Sequence, residues 1–172
     1  MDFEFTAEQD MLRASVRAFL AAEAPIAKVR AAYHAPAGDP LVWAGLRGLE
    51  VTGLLVDEAR GGAGRGMVDA AVVLEELGRA VCPAPYPASA IGAVALADDA
   101  LLPSLADGSR IGTLAIFEPG TRYAWSRPST RATCVDGDWR LDGEKMHVAD
   151  ANAADVVLVT ALDDTGALGV FA

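Results

Sequence analysis

The sequence predicts an α+β chain: an all-α N-terminal domain over residues 1–110, then an antiparallel β domain over residues 111–172 that reads as incomplete. Three observations predict it. Apolar residues recur at helical spacings of three and four up to about residue 108. Beyond residue 110 the apolar runs become short and lie between Gly, Pro and Asp turn signals, as strands do. Helices first and strands after is an α-then-β order, so the boundary belongs near residue 110.

Taken in order, Thr6-Ala7-Glu8-Gln9 has the form of a capping box, with the Thr hydroxyl accepting from an exposed backbone N–H and the Gln reaching back. Leu12, Val16, Phe19 and Leu20 then fall on one helix face. Pro25 stops that helix and opens the next, with Ile26, Val29 and Tyr33 as its buried face. Asp39-Pro40 is an N-cap followed by Pro, and Trp43, Leu46 and Leu49 continue inward. Leu54-Leu55-Val56 is too short for a helix. A fourth helix carries Val68, Val72 and Leu77, and Gly78 fits its C-terminal stop. Pro83-Ala84-Pro85-Tyr86-Pro87 should be extended, since each Pro pushes its predecessor out of the helical region. A small-residue helix over Ile91–Ala97 and a short one over Leu101–Leu105 complete the helical part.

The run Ile111–Glu118 then reads as a strand, closed by Pro119-Gly120. Arg131–Val135 and Trp139–Leu141 flank Asp136-Gly137-Asp138, a hairpin signal. Lys145–Val148, Val156–Ala161 and Leu168–Phe171 read as further strands. The sequence given stops inside the last of them, which would leave an open sheet edge. That is why the β part reads as incomplete.

Fourteen Lys and Arg against 24 Asp and Glu leave a net charge of −10. A chain that acidic repels phosphate backbones and carries no basic cluster, so nucleic acid is not an expected partner. No apolar run approaches the ~18–20 residues of a membrane span. MDFEFTAEQD is acidic where a signal peptide is basic. Two cysteines, Cys82 and Cys134, imply no oxidising compartment. A soluble, cytoplasmic chain is expected.

Few residues advertise chemistry. The glycine-rich stretch Gly61–Gly66 lacks the Lys of a P-loop and the preceding strand of a dinucleotide loop, so it reads as a turn whose glycines take positive φ. His34 reads as a solvated loop residue, and His147 is open to a structural or a site role. No metal-ligand spacing is present. Asp98-Asp99 and Asp163-Asp164 read as helix-end and turn carboxylates rather than a catalytic pair.

Taken together, the motifs resemble the acyl-CoA dehydrogenase family. Phe5-Thr6-Ala7-Glu8-Gln9 with Leu12-Arg13 and Val16-Arg17-Ala18-Phe19 looks like its first helix. Trp43-Ala44-Gly45-Leu46, Gly53–Glu58, Gly61–Gly64 and Glu75-Glu76-Leu77-Gly78-Arg79 follow in order. Leu114–Gly120, Leu141–Lys145 and Ala154-Asp155 continue the match through the β part.

The resemblance implies FAD as cofactor and α,β-desaturation of an acyl-CoA thioester, with a proton leaving α and a hydride leaving β to the carbonyl. An electron-transfer flavoprotein and a homo- or hetero-oligomer are the implied partners. The family's base is a Glu, in most members in a C-terminal four-helix domain that these 172 residues do not contain. They should therefore be inactive by themselves, and no carboxylate here is promoted to that role. By alignment with the family's Thr-Glu-Pro signature, the backbone at Leu114, Ile116 and Phe117 would face the flavin ring. The family's Glu-Lys-x-Trp-Ile-Thr corresponds to Glu144–Ala149, which puts His147 where a Trp packs on the flavin and Ala149 where a Thr donates to it. Tyr123 stands where a small Ser would contact the thioester. These departures fit two readings: an active enzyme with an unusual substrate, on a CoA or an acyl-carrier-protein thioester, or a non-catalytic subunit that completes a partner's flavin or acyl site.

Overall fold

A computed structural model describes residues 4–32, 40–96, 100–120 and 124–172. Six helices precede five strands among them: α1 (Ala7–Glu23), α2 (Ile26–Ala32), α3 (Pro40–Gly48), α4 (Met67–Arg79), α5 (Tyr86–Ala95) and α6 (Leu102–Ala106), then β1 (Gly112–Ala115), β2 (Arg131–Val135), β3 (Asp138–Asp142), β4 (Val156–Leu162) and β5 (Leu168–Phe171). The predicted helical-then-β class is the one observed.

The capping box forms as read: Gln9 N–H donates to Thr6 Oγ1 at 3.2 Å, and Thr6 N–H donates to Gln9 Oε1 at 3.0 Å. Val16 and Leu20 of α1 meet Val73 and Leu77 of α4, with Leu46 and Trp43 of α3 closing the first core. Glu76, buried on α4, takes two hydrogen bonds from the Arg17 guanidinium of α1, at 2.8 and 2.6 Å. Those bonds hold the Glu76 carboxyl below its ordinary range against the opposing effect of burial. Three bonds tie the α3 region to the end of α6: Trp43 Nε1 to Gly108 O, Arg47 Nε to Asp107 O and Thr52 Oγ1 to Ala106 O, each 2.9 Å.

A second core joins α5 and α6 to the sheet through Ala93, Leu102, Leu105, Val156 and Leu158. Helix α5 lies against β1 because Gly92 has no side chain; a Cβ there would come within 3.2 Å of the Gly112 backbone.

Several expectations are corrected. Ile26 is exposed, and in the short α2 only Val29 is buried. Tyr86 and Pro87 are not extended but open α5, where a Pro in the first turn forfeits no hydrogen bond. Helix α4 runs past Gly78, and the left-handed residue that ends it is Val81, at φ 51°. Its N–H donates to Gly78 O and the next N–H, of Cys82, donates to Leu77 O, a Schellman closure without the usual glycine.

The first strand stops at Ala115 rather than Glu118, and Lys145–Val148 forms no strand. The sheet is also mixed. Strand order is β1-β4-β2-β3, with β5 on β4; β1 runs parallel to β4, while β2–β3 and β4–β5 are antiparallel hairpins. Asp136 and Gly137, both at positive φ, turn the β2–β3 hairpin as their sequence predicts.

Tyr33, His34, Asp39, Asp98, Asp99 and Tyr123 lie outside the described residues. No helix among the described residues is long and apolar enough to cross a membrane.

Candidate functional site

The glycine-rich stretch is excluded as a phosphate cradle by its own hydrogen bonds. The N–H groups of Gly61, Gly62, Ala63, Gly64 and Arg65 donate to backbone carbonyls of Glu58, Asp57, Gly53, Val56 and Leu54. None is left to point at an anion. Gly61 (φ 86°) and Gly64 (φ 59°) supply the positive φ expected of a turn. The Asp163 carboxylate likewise accepts from Thr165 and Ala167 across its turn, which holds its carboxyl below the ordinary range. Among the described residues, no group of three or more His, Cys, Asp or Glu could hold a metal ion.

The C-terminal end of β1 is different. Past Ala115 the chain continues through Ile116 and Phe117 to Glu118, and the segment Lys145–Ala149 returns beside it. Met146 N–H donates to Phe117 O at 2.9 Å, Lys145 Nζ reaches Glu118 Oε1 at 2.8 Å, and Thr113 Oγ1 donates to Ala149 O at 2.6 Å. The two strips therefore run antiparallel, 117 opposite 146 and 118 opposite 145. They bring together five of the residues singled out from the sequence: Leu114, Ile116 and Phe117 on one strip, His147 and Ala149 on the other. Leu114 and Ile116 are half-buried; Phe117, His147 and Ala149 are exposed. Tyr123, the sixth, lies outside the described residues.

Beneath these strips sits a group of residues that motif reading did not assign a role. Glu118 is buried at 3% exposure. Its carboxylate accepts from Ser129 N–H and Oγ at 2.6 Å each, and from Thr130 N–H at 3.0 Å and Oγ1 at 2.5 Å, besides Lys145. Burial would push this carboxyl up. The Lys145 ammonium and the Ser129 and Thr130 donors outweigh burial and hold it well below the usual carboxylate range. Lys145 also donates to Thr160 Oγ1 at 3.1 Å, on β4. Gly143 lets the returning chain pass: a Cβ there would lie 2.5 Å from Thr130 Oγ1. Glu118 and Lys145 both fall inside quoted motifs, which was the available signal; their pairing across 27 positions was not readable.

Chemically, the surface offers an exposed aromatic ring at Phe117, an imidazole at His147, and backbone groups between them. It suits a planar conjugated ligand, since Phe and His can both pack on a ring face. A flavin ring is of that kind. Ala149 contributes no side-chain donor.

Residues 6–103 match the model of the acyl-CoA dehydrogenase N-terminal domain. Over 117 residues the chain is 38% identical to acyl-CoA dehydrogenase IpdE2 of Mycolicibacterium smegmatis, a match covering 65% of this chain and 37% of that protein. A variant of the Tcur3481-Tcur3483 steroid ACAD superposes with a TM-score of 0.84 at 33% identity, covering 95% of this chain and 47% of that one. The ChsE4-ChsE5 complex from Mycobacterium tuberculosis gives a TM-score of 0.85 at 26% identity, covering 99% and 48%. The matches thus span between about a third and a half of the length of these three proteins. With more than half its residues inside that family model, this chain belongs to the acyl-CoA dehydrogenase family.

Proposed function

We propose that this chain forms the helical and first β part of a flavin-dependent acyl-CoA dehydrogenase that desaturates a CoA thioester between its α and β carbons. The observation that carries the reading is the meeting of the 114–117 and 145–149 strips at the end of β1, in a member of this family. FAD, when bound, supplies the hydride acceptor. The chain's own part is to bind and orient: the backbone at Leu114, Ile116 and Phe117, together with His147 and Ala149 on the strip bonded beside it, would hold the flavin ring. Tyr123 is assigned to the thioester side on sequence position alone.

Glu118 is not the base. Its carboxylate is buried, saturated with donors and held strongly ionised, which makes it too weak a base to take an α proton. The base belongs to another part of the assembly, and these 172 residues alone turn over no acyl-CoA. The steroid ACAD among the similar structures supports a steroid-derived acyl group. An electron-transfer flavoprotein as oxidant, an oligomer and a cytoplasmic location complete the reading.

Two substitutions test it by FAD titration, followed by fluorescence quenching. Ala149→Thr restores a hydroxyl donor and should tighten FAD about fivefold, the worth of one hydrogen bond of ~1 kcal/mol. His147→Trp should tighten it by a similar factor through added stacking area. If neither moves the FAD affinity, the flavin lies elsewhere. Turnover of any acyl-CoA by the 172 residues alone, with an artificial electron acceptor, would also overturn the proposal.

A second reading is a non-catalytic subunit that completes a partner's flavin or acyl site. It is favoured by His147 and Ala149 standing where the resemblance places Trp and Thr, and by the two-component ChsE4-ChsE5 complex among the similar structures. Absence of FAD binding by this chain, with binding restored on mixing with a co-purifying homologue, would select it.

A further inference from the structure

The strip from Lys145 to Asp150 has no ladder to hold it. It forms neither helix nor strand, and two of its residues adopt left-handed backbone, His147 at φ 53° and Asp150 at φ 51°. Left-handed residues other than glycine are costly and persist where the surroundings over-determine them. What over-determines this strip is countable: Met146 N–H on Phe117 O, Ala149 O on Thr113 Oγ1, and the Lys145 ammonium. The ammonium alone reaches two strands' worth of structure. It joins Glu118, just past β1, to Thr160 of β4, whose hydroxyl in turn faces Ala115 O at 3.4 Å.

The placement of the pair matters more than its strength. Glu118 follows Phe117 and Lys145 precedes Met146, so the ion pair stands one residue from each end of the Phe117–Met146 backbone bond. A buried pair placed for stability alone could sit anywhere in the core. Here the Lys145 side chain is 9% exposed and that of Glu118 is 1% exposed, so neither can swing to water and take up a second position. The spacing between the two strips is fixed at that point, and with it the spacing between Phe117 and His147.

We propose that Lys145, acting through Glu118, is a positioning residue: it sets the 145–149 strip against the end of β1 and thereby the width of the face offered to the flavin. The flavin part of this proposal rests on the function proposed above.

The test is Lys145→Met in the purified protein in its native assembly, read by amide hydrogen exchange and by FAD titration. Protection at Met146 should fall at least about tenfold further than protection at Val73 and Leu77 in α4, which registers only the global loss of stability. FAD should bind about tenfold more weakly, as befits loss of one well-placed contact. A merely structural pair would lower α4 and Met146 protection together and leave the FAD affinity of folded molecules unchanged; that result overturns the proposal. So does unchanged protection at Met146. If Lys145→Met does not fold, the double variant Glu118→Gln with Lys145→Met, which buries no unpaired charge, is read by the same criteria. Selective loss at Met146 in a protein whose wild type binds no FAD would uphold the positioning role and overturn the flavin reading.

Discussion

Glu76 in the helical region and Glu118 in the β region are buried to 2% and 3% exposure, and each is paired with a cation. The two regions solve the same problem in different ways. Glu76 is served chiefly by guanidiniums that stay in water, Arg17 at 2.6 Å and Arg79 at 3.7 Å, both more than half exposed, with the mostly covered Arg13 also at 3.7 Å. Glu118 is served by a lysine that is itself buried, together with two hydroxyls and two backbone N–H groups. An exposed, redundant set tolerates the loss of a member. A buried single cation does not, because whichever partner remains is left charged and out of water.

The largest expected effect breaks the β-region pair. Glu118→Ala strands the Lys145 ammonium and should destabilise the chain by about 3–5 kcal/mol in urea unfolding. The same substitution in the helical region, Glu76→Ala, releases the exposed Arg17 and Arg79 to water and leaves Arg13 its bridge to Glu75, and should cost only about 1–2 kcal/mol. Equal costs would show that burial of the carboxylate, and not of its cation, decides the outcome.

Acidification sharpens the contrast. Both carboxyls lie below their ordinary value of 4.5, so both contribute stability that is complete above that pH and is lost as pH falls through it toward the lowered folded values. Between pH 6 and pH 3 the urea midpoint should fall. The fall should be shallower in Glu76→Ala and shallower still in Glu118→Ala. Asp107 and Asp163, also held below the ordinary range, keep it from vanishing. A slope unchanged by both variants would place the acid sensitivity elsewhere.

The smallest expected effect concerns backbone. Val81 and His147 are both left-handed, but only His147 lies on the candidate site. Val81→Gly should stabilise the chain by about 1 kcal/mol, since glycine adopts that conformation without the Cβ clash. FAD affinity should not change. A change would mean that the α4 terminus is part of the site.

Much of this was open to sequence reading where the hydrogen bonds are short in sequence. The Thr6–Gln9 box, the Asp136-Gly137 hairpin and the Asp163–Ala167 turn each close within a few residues, and adjacent side chains dictate them. Lys145–Val148 reads as a strand in sequence because its local pattern fits one, yet it forms none. What bends it are contacts to Phe117, Glu118 and Thr113, all far along the chain. The candidate site residues Leu114, Ile116, Phe117, His147 and Ala149 are reached only through resemblance. The residue pattern leaves His147 open, places Leu114, Ile116 and Phe117 in a strand, and assigns none of them a site role.

The sequence by itself determined the order of helices before strands, the acidic charge, the local caps and turns, and the motifs that mark the family. Each is fixed by composition or by neighbours a few residues apart. Only the tertiary structure decided that β1 and β4 run parallel, that Val81 and not Gly78 ends α4, and that Glu118 meets Ser129, Thr130 and Lys145 in one buried group. A buried carboxylate must find donors wherever the packed chain brings them, and no local rule names donors 11 to 27 residues away.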